Sequence, residues 1–179
     1  MAIALNGSTN VITPVSAVQP TGAILQVVSA QKTDTFSMST ETWADITGLT
    51  VTLTPAAASS KMLCRYTVVA GTNQNYFVHF ALARVISGTE TQVIHVGDQG
   101  SSNCARASST ENHHQTYGTT TSSTEFLDSP NTTSAVTYKV KMASGDESVD
   151  VYIGRPIDAS NEFSRARHPS SITVMEIAG

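Results

Sequence analysis

Charge is scarce in this 179-residue chain: Asp, Glu, Lys and Arg together make up 13%, about half the roughly 25% usual in globular domains. The ten basic residues are scattered and the net charge is −4. Gripping a phosphate backbone takes clustered cations that release counterions, so nucleic acid is not an expected partner. Cysteine occurs only at Cys64 and Cys104. Neither stands in a CxxC or Cys/His spacing, so no metal is expected, and two free thiols suit a chain assembled in a reducing cytoplasm. No apolar run approaches the ~20 residues of a membrane helix. Residues 1–7 lack the basic start of a signal peptide. There is no GxSxG elbow, no HExxH, no phosphate-cradling glycine loop and no kinase signature. The expectation is a non-enzymatic protein with no cofactor and no membrane.

Ser and Thr fill the space that charge leaves, with 22 and 25 copies. Thr is β-branched and fits a pleated, half-wet surface, while Ser favours turns. Short apolar stretches separated by Gly, Pro, Ser and Asn clusters predict strands near 23–30, 42–46, 49–54, 61–70, 76–87, 91–97, 116–127, 135–143, 149–154 and 171–177. Several alternate cleanly. Val136, Tyr138, Val140 and Met142 take one face, and Thr137, Lys139 and Lys141 take the other, as in an antiparallel strand with one dry side. Helical patterning is nearly absent. The fold class predicted is all-β: an antiparallel jelly-roll β-sandwich of about ten strands over residues 22–179, preceded by an extended N-terminal arm, 1–21.

Two strands carry apolar residues on both faces. Tyr76, Val78, Phe80, Leu82 and Ile86 oppose Phe77, Ala81, Ala83 and Val85; near the C-terminus Ile172 and Val174 oppose Met175 and Ile177. A strand apolar on both sides needs cover on both, and in a chain without helices the nearest cover is a second copy of itself. Tyr76, Val78, Phe80, Leu82, Met175 and Ile177 are therefore the expected subunit interface. A low density of charge also suits surfaces that pack against copies of themselves.

The order Gly22-Ala-Ile-Leu-Gln-Val-Val, Trp43-Ala-Asp-Ile-Thr-Gly-Leu, Val51-Thr-Leu-Thr-Pro55 and Ser59-Ser-Lys-Met-Leu-Cys-Arg-Tyr66, closed by Ser171-Ile-Thr-Val-Met-Glu-Ile177, resembles the C-terminal jelly-roll domains of tailed-bacteriophage virion proteins. These are of the tumour-necrosis-factor/C1q type. The resemblance covers most of 22–179, is carried by strands and turns, and includes no catalytic motif. It implies a homotrimer with the last strand near the three-fold axis, a place on the virion surface, and the major capsid protein or tail-fibre proteins as partners. The arm, about 20 residues reaching several tens of ångströms when extended at ~3.3 Å per residue, carries Ile3, Leu5, Val11, Ile12 and Val15 as contacts for a coat protein. A capsid decoration or cement protein is the expected role, with a receptor- or carbohydrate-binding head of a short tail fibre as the alternative.

The polar stretch 98–117 is the expected exposed tip, a recognition loop with Asn103, Glu111, His113 and His114. Adjacent residues of an extended chain point to opposite faces, so His113 and His114 do not readily grip one metal. His79, inside an apolar strand, is expected to be a hydrogen-bonded core or interface histidine. Asp146, Glu147 and Asp150 lack the twelve-residue calcium-loop pattern and are expected to form a solvated turn. Arg155, Arg165, Arg167 and His168 form the most basic loop.

Overall fold

A computed structural model describes residues 4–5, 12–13, 19–72, 76–91, 94–98, 100, 104–113 and 117–179. Within them lie thirteen strands and no helix: β1 (Ala4–Leu5), β2 (Ile12–Thr13), β3 (Ile24–Lys32), β4 (Phe36–Met38), β5 (Ala44–Leu53), β6 (Lys61–Thr72), β7 (Tyr76–Ile86), β8 (Thr89–Thr91), β9 (Ser109–His113), β10 (Thr120–Asp128), β11 (Val136–Ser144), β12 (Val151–Ile153) and β13 (Ser170–Ile177). β1 and β2 pair antiparallel with each other, so the described parts of the arm return on themselves rather than running straight.

Eight longer strands build the sandwich. One sheet has the order β3-β13-β6-β10 and the other β5-β11-β7-β9, every pairing antiparallel. Counted along these eight, the first, last, third and sixth strands form one layer and the second, seventh, fourth and fifth the other. That is jelly-roll order. The short strands extend it: β12 pairs the end of β6 and carries β4, while β8 pairs the far half of β7.

The inner faces meet in one core that includes Ile46, Leu49, Met62, Tyr66, Val68, Phe80, Leu82, Tyr138, Val140, Met142, Ile172 and Val174, all at most 1% exposed. Each such side chain contributes roughly 1.5–3 kcal/mol by leaving water. Two polar ties cross between the layers. Asp128 of β10 accepts two bonds from Arg84 Nη1 of β7 (2.7 and 2.8 Å) and one from the Tyr138 hydroxyl of β11 (2.7 Å). The Tyr66 hydroxyl of β6 and the Ser122 hydroxyl of β10 both meet Ser109 Oγ of β9 at 2.7 Å. Burial pushes the Tyr66 phenol up to about 12 and the Cys64 thiol well above its usual range. Both groups are neutral and inert at physiological pH.

Three departures from the predicted strands have local causes. β5 is one strand where two were expected, because Gly48, at φ +92°, sits in a register shift opposite Lys139–Lys141. The added residues re-phase the strand, so Ile46 and Leu49 both reach the core. β4 and β9 were not expected: β9 is polar throughout, β4 is only three residues long, and each is joined to a neighbouring strand by ladder bonds. The second apolar face of β7 is covered within the chain at Ala81 and Ala83, whereas Phe77 stays 49% exposed. The two alanines are 0% exposed and lie opposite Lys141 and Lys139, whose stems cover them. The two ammonium groups are held above by Asp45 and Glu90 at 2.5–3.3 Å.

Glu176, on the inward side of β13, is fully buried and accepts from Gln26 Nε2 (2.5 Å) and the Ala56 N–H (2.6 Å). Burial alone would raise its pKa; hydrogen bonds, led by Gln26, outweigh it and hold the group below the ordinary 4.5. Asp45 and Glu90 are likewise lowered, in each case by bonds from Lys139 and Lys141 that overcome burial. A carboxylate whose folded pKa lies below its unfolded one adds stability above the unfolded value and loses it as pH falls toward the folded one. The melting temperature should therefore drop as pH is lowered from about 5 to about 3, and Glu176→Gln should make that drop shallower. An equally steep drop in the variant would remove Glu176 from the cause.

Candidate interface on the open sheet face

The outer side of the β3-β13-β6-β10 sheet has an uncovered apolar row. Alternation directs Ile172, Val174 and Glu176 of β13 inward, and Ser171, Thr173, Met175 and Ile177 outward. On β6, Met62, Cys64 and Tyr66 turn in, while Leu63, Arg65 and Thr67 turn out. Register then aligns the outward residues across four strands: Val27 faces Met175, Met175 faces Leu63, and Leu63 faces Leu127. One step toward the termini, Ile24 faces Ile177. Val27 is 54%, Leu127 51% and Ile24 60% exposed. Single exposed apolar residues are ordinary, but a contiguous set spanning four strands marks a contact surface.

The neighbouring row is polar. Ser29, Thr173, Arg65 and Glu125 are cross-strand neighbours, with Ser29 Oγ and Thr173 Oγ1 3.0 Å apart. A groove of about 320 Å³ runs between the rows, lined by Leu63, Arg65, Thr67, Glu125, Thr173 and Met175. An apolar stripe flanked by one cation and one anion fits a self-complementary contact better than a catalytic one.

The expected interface residues do not form one surface. Val78, Phe80 and Leu82 are 0–1% exposed inside a single chain, and half-buried Tyr76 begins the same inward series. A side chain already enclosed by its own sandwich offers nothing to a second copy, so Val78, Phe80 and Leu82 are corrected from interface to core, while Tyr76 stays half-buried at the start of the strand. Met175 and Ile177 lie on the open face. Val27, Leu63 and Leu127 belong with them and were missed. Their apolar phase is visible in each strand, but only the pairing register makes them a row.

Of the arm residues, Ile3, Val11 and Val15 lie outside the described residues, and Leu5 pairs with Ile12 along the backbone. Asn103 and His114 also lie outside them. Glu111 and His113 are not at a loop tip: both are in β9, opposite Val78 and Tyr76. The remaining polar clusters are occupied locally. Asp146 Oδ1 accepts from the backbone and hydroxyl of Ser148 (2.8 and 2.5 Å), and Asp150 from the Tyr152 hydroxyl (3.1 Å). Arg155 lies 3.9 Å above the Tyr152 ring and Arg165 3.9 Å above the Tyr117 ring, while Arg165 also pairs with Asp158 at 2.9 Å. Among the described residues no group of three or more His, Cys, Asp or Glu is placed to hold a metal. Both cysteines are free, Cys64 buried and Cys104 exposed.

No family model matches the chain, and no curated protein matches it. Among solved structures the chain is similar to one from infectious bursal disease virus, Gx strain, at 12% identity and a TM-score of 0.40. The match covers 100% of this chain and 42% of that one, so this chain spans less than half the length of its structural neighbour. A TM-score of 0.40 does not establish a common topology; the jelly-roll assignment stands on strand order and register.

Proposed function

We propose that this protein is a non-enzymatic structural component of a bacteriophage virion, a homotrimer that decorates or cements the capsid shell. The observation that carries self-association is the open row Val27–Met175–Leu63–Leu127, continuous across four strands and over half exposed at both ends. Covering that row with other copies removes apolar area from water at roughly 25 cal/mol per Å². Arg65 and Glu125 on the adjacent row add polar registration. Three copies rather than two, and the virion setting, rest on the sequence resemblance, which puts the last strand near a three-fold axis. Met175 lies on that last strand, in the middle of the apolar row.

The arm is the element proposed to engage coat protein. Residues 19–23 connect it to the sandwich beside the C-terminal strand, where Gly22 N–H donates to Ala178 O at 2.8 Å and Ala178 N–H to Ala23 O at 2.8 Å. Deleting residues 1–18 should leave the oligomer mass at three chains and abolish sedimentation with coat-protein shells. Undiminished co-sedimentation of the truncated protein would rule the arm out. One feature favours the alternative role, a receptor-binding head. The loops at the end of the sandwich away from the termini expose Tyr117 (58%) and Phe163 (107%), the kind of aromatic anchors that binding surfaces use.

A further inference from the structure

The opposite sheet has a cleft unlike the apolar row. β11 and β7 set Ala143 opposite His79, and β9 sets Thr110 on the other side of His79. Met142 pairs with Ala44, the first residue of β5, which brings Trp43 level with Ala143 on the outer face. Ala143 is 3% exposed and forms a small-residue floor between the indole and the imidazole. The cleft holds about 550 Å³, with Glu41, Trp43, His79, Cys104, Ser144 and Gly145 on its walls. Gly145 packs closely there: its N–H donates to Phe77 O at 2.9 Å, and a Cβ would come within 3.1 Å of that oxygen, a tight contact.

We propose that this cleft binds a neutral saccharide. Trp43 supplies a flat apolar wall for the face of a sugar ring. Glu41 supplies an exposed carboxylate, the strong acceptor for sugar hydroxyls. His79 is fixed through Nδ1, 2.9 Å from Thr110 Oγ1, and its other ring nitrogen remains a hydrogen-bonding group. A concave site with one aromatic wall and a few convergent polar groups is the usual form of a small-molecule site. Among the described residues the lining contains no Lys or Arg. The nearest lysines along the strand, Lys139 and Lys141, are already bound by Asp45 and Glu90. A phosphorylated or carboxylated sugar would therefore meet the Glu41 charge without compensation. This cleft and the self-association row lie on opposite sheets, so sugar binding and assembly are separable and either inference can fail alone.

Trp43 is the single tryptophan of the chain, so intrinsic tryptophan emission reports on this cleft and nothing else. Full-length protein should be titrated with cellotriose, maltotriose and chitotriose, and with trigalacturonate as the anionic control. At least one neutral trisaccharide should shift or quench the emission saturably by about 10 mM, spanning the millimolar range of an open site, and trigalacturonate should not. Glu41→Gln, a near-isosteric change at an exposed position, should weaken that binding about tenfold and leave the oligomer mass unchanged. An unresponsive emission with all three neutral sugars overturns the proposal. Equal affinity in Glu41→Gln, or for trigalacturonate, does so as well.

Discussion

Asp128→Ala should cost the folded chain about 3 kcal/mol, the low end of the loss seen when one partner of a buried ion pair is removed. The low end applies because the Arg84 side chain keeps 20% of its exposure, while that of Asp128 keeps 7%. The variant would leave the guanidinium without its carboxylate and the Tyr138 hydroxyl without its acceptor. Arg84 Nε already lacks a hydrogen-bond partner among the described residues, so the variant adds to an existing deficit. The midpoint of guanidinium unfolding reads the loss directly. Asp128→Asn should fall between wild type and alanine, since it keeps an acceptor and loses the charge. Arg84→Met and Asp128→Leu combined with Tyr138→Phe should recover much of the stability, because apolar replacement of the whole buried network, the Tyr138 hydroxyl included, is often neutral or better. A wild-type midpoint for Asp128→Ala would mean that the Arg84–Asp128–Tyr138 tie contributes nothing to holding the two sheets together.

Such a tie cannot be seen in the sequence. Arg84 and Asp128 are 44 residues apart, and no local pattern pairs them. What alternation does reveal is the dry face of each strand. Val136, Tyr138, Val140 and Met142 were separable from Thr137, Lys139 and Lys141 by period alone, and the structure buries the first set in the core. Alternation does not reveal what covers the other face. In β7 the outward Ala81 and Ala83 looked like a second apolar surface, yet lysine stems one strand away are enough to hide residues so small. β9 went unseen for the converse reason. Ser109–His113 is polar throughout, and it is a strand because β7 offers it an edge. Gly48 shows a third limit, since a positive φ inside a strand shifts the phase that the period relies on.

The same distinction between covered and open faces separates two substitutions of identical chemistry. Phe80→Glu puts a carboxylate at a position 0% exposed within one chain. It should give insoluble or unfolded protein whatever the oligomeric state, because an unpaired buried charge costs several kcal/mol. Met175→Glu and Leu63→Glu put the same carboxylate on the open row, where a lone chain leaves it hydrated. Both should fold, with unfolding midpoints close to wild type under conditions where wild type is dissociated. In an assembled trimer every copy would carry that charge into the contact. A penalty of about 3 kcal/mol per contact weakens association more than 100-fold, enough to leave monomers at micromolar concentration. Light scattering should then read one chain mass for Met175→Glu and Leu63→Glu and three for wild type. Soluble, folded trimers of Met175→Glu would place the contact elsewhere. An unfolded Met175→Glu would show that the open face is covered by its own chain, and self-association would lose its one structural support.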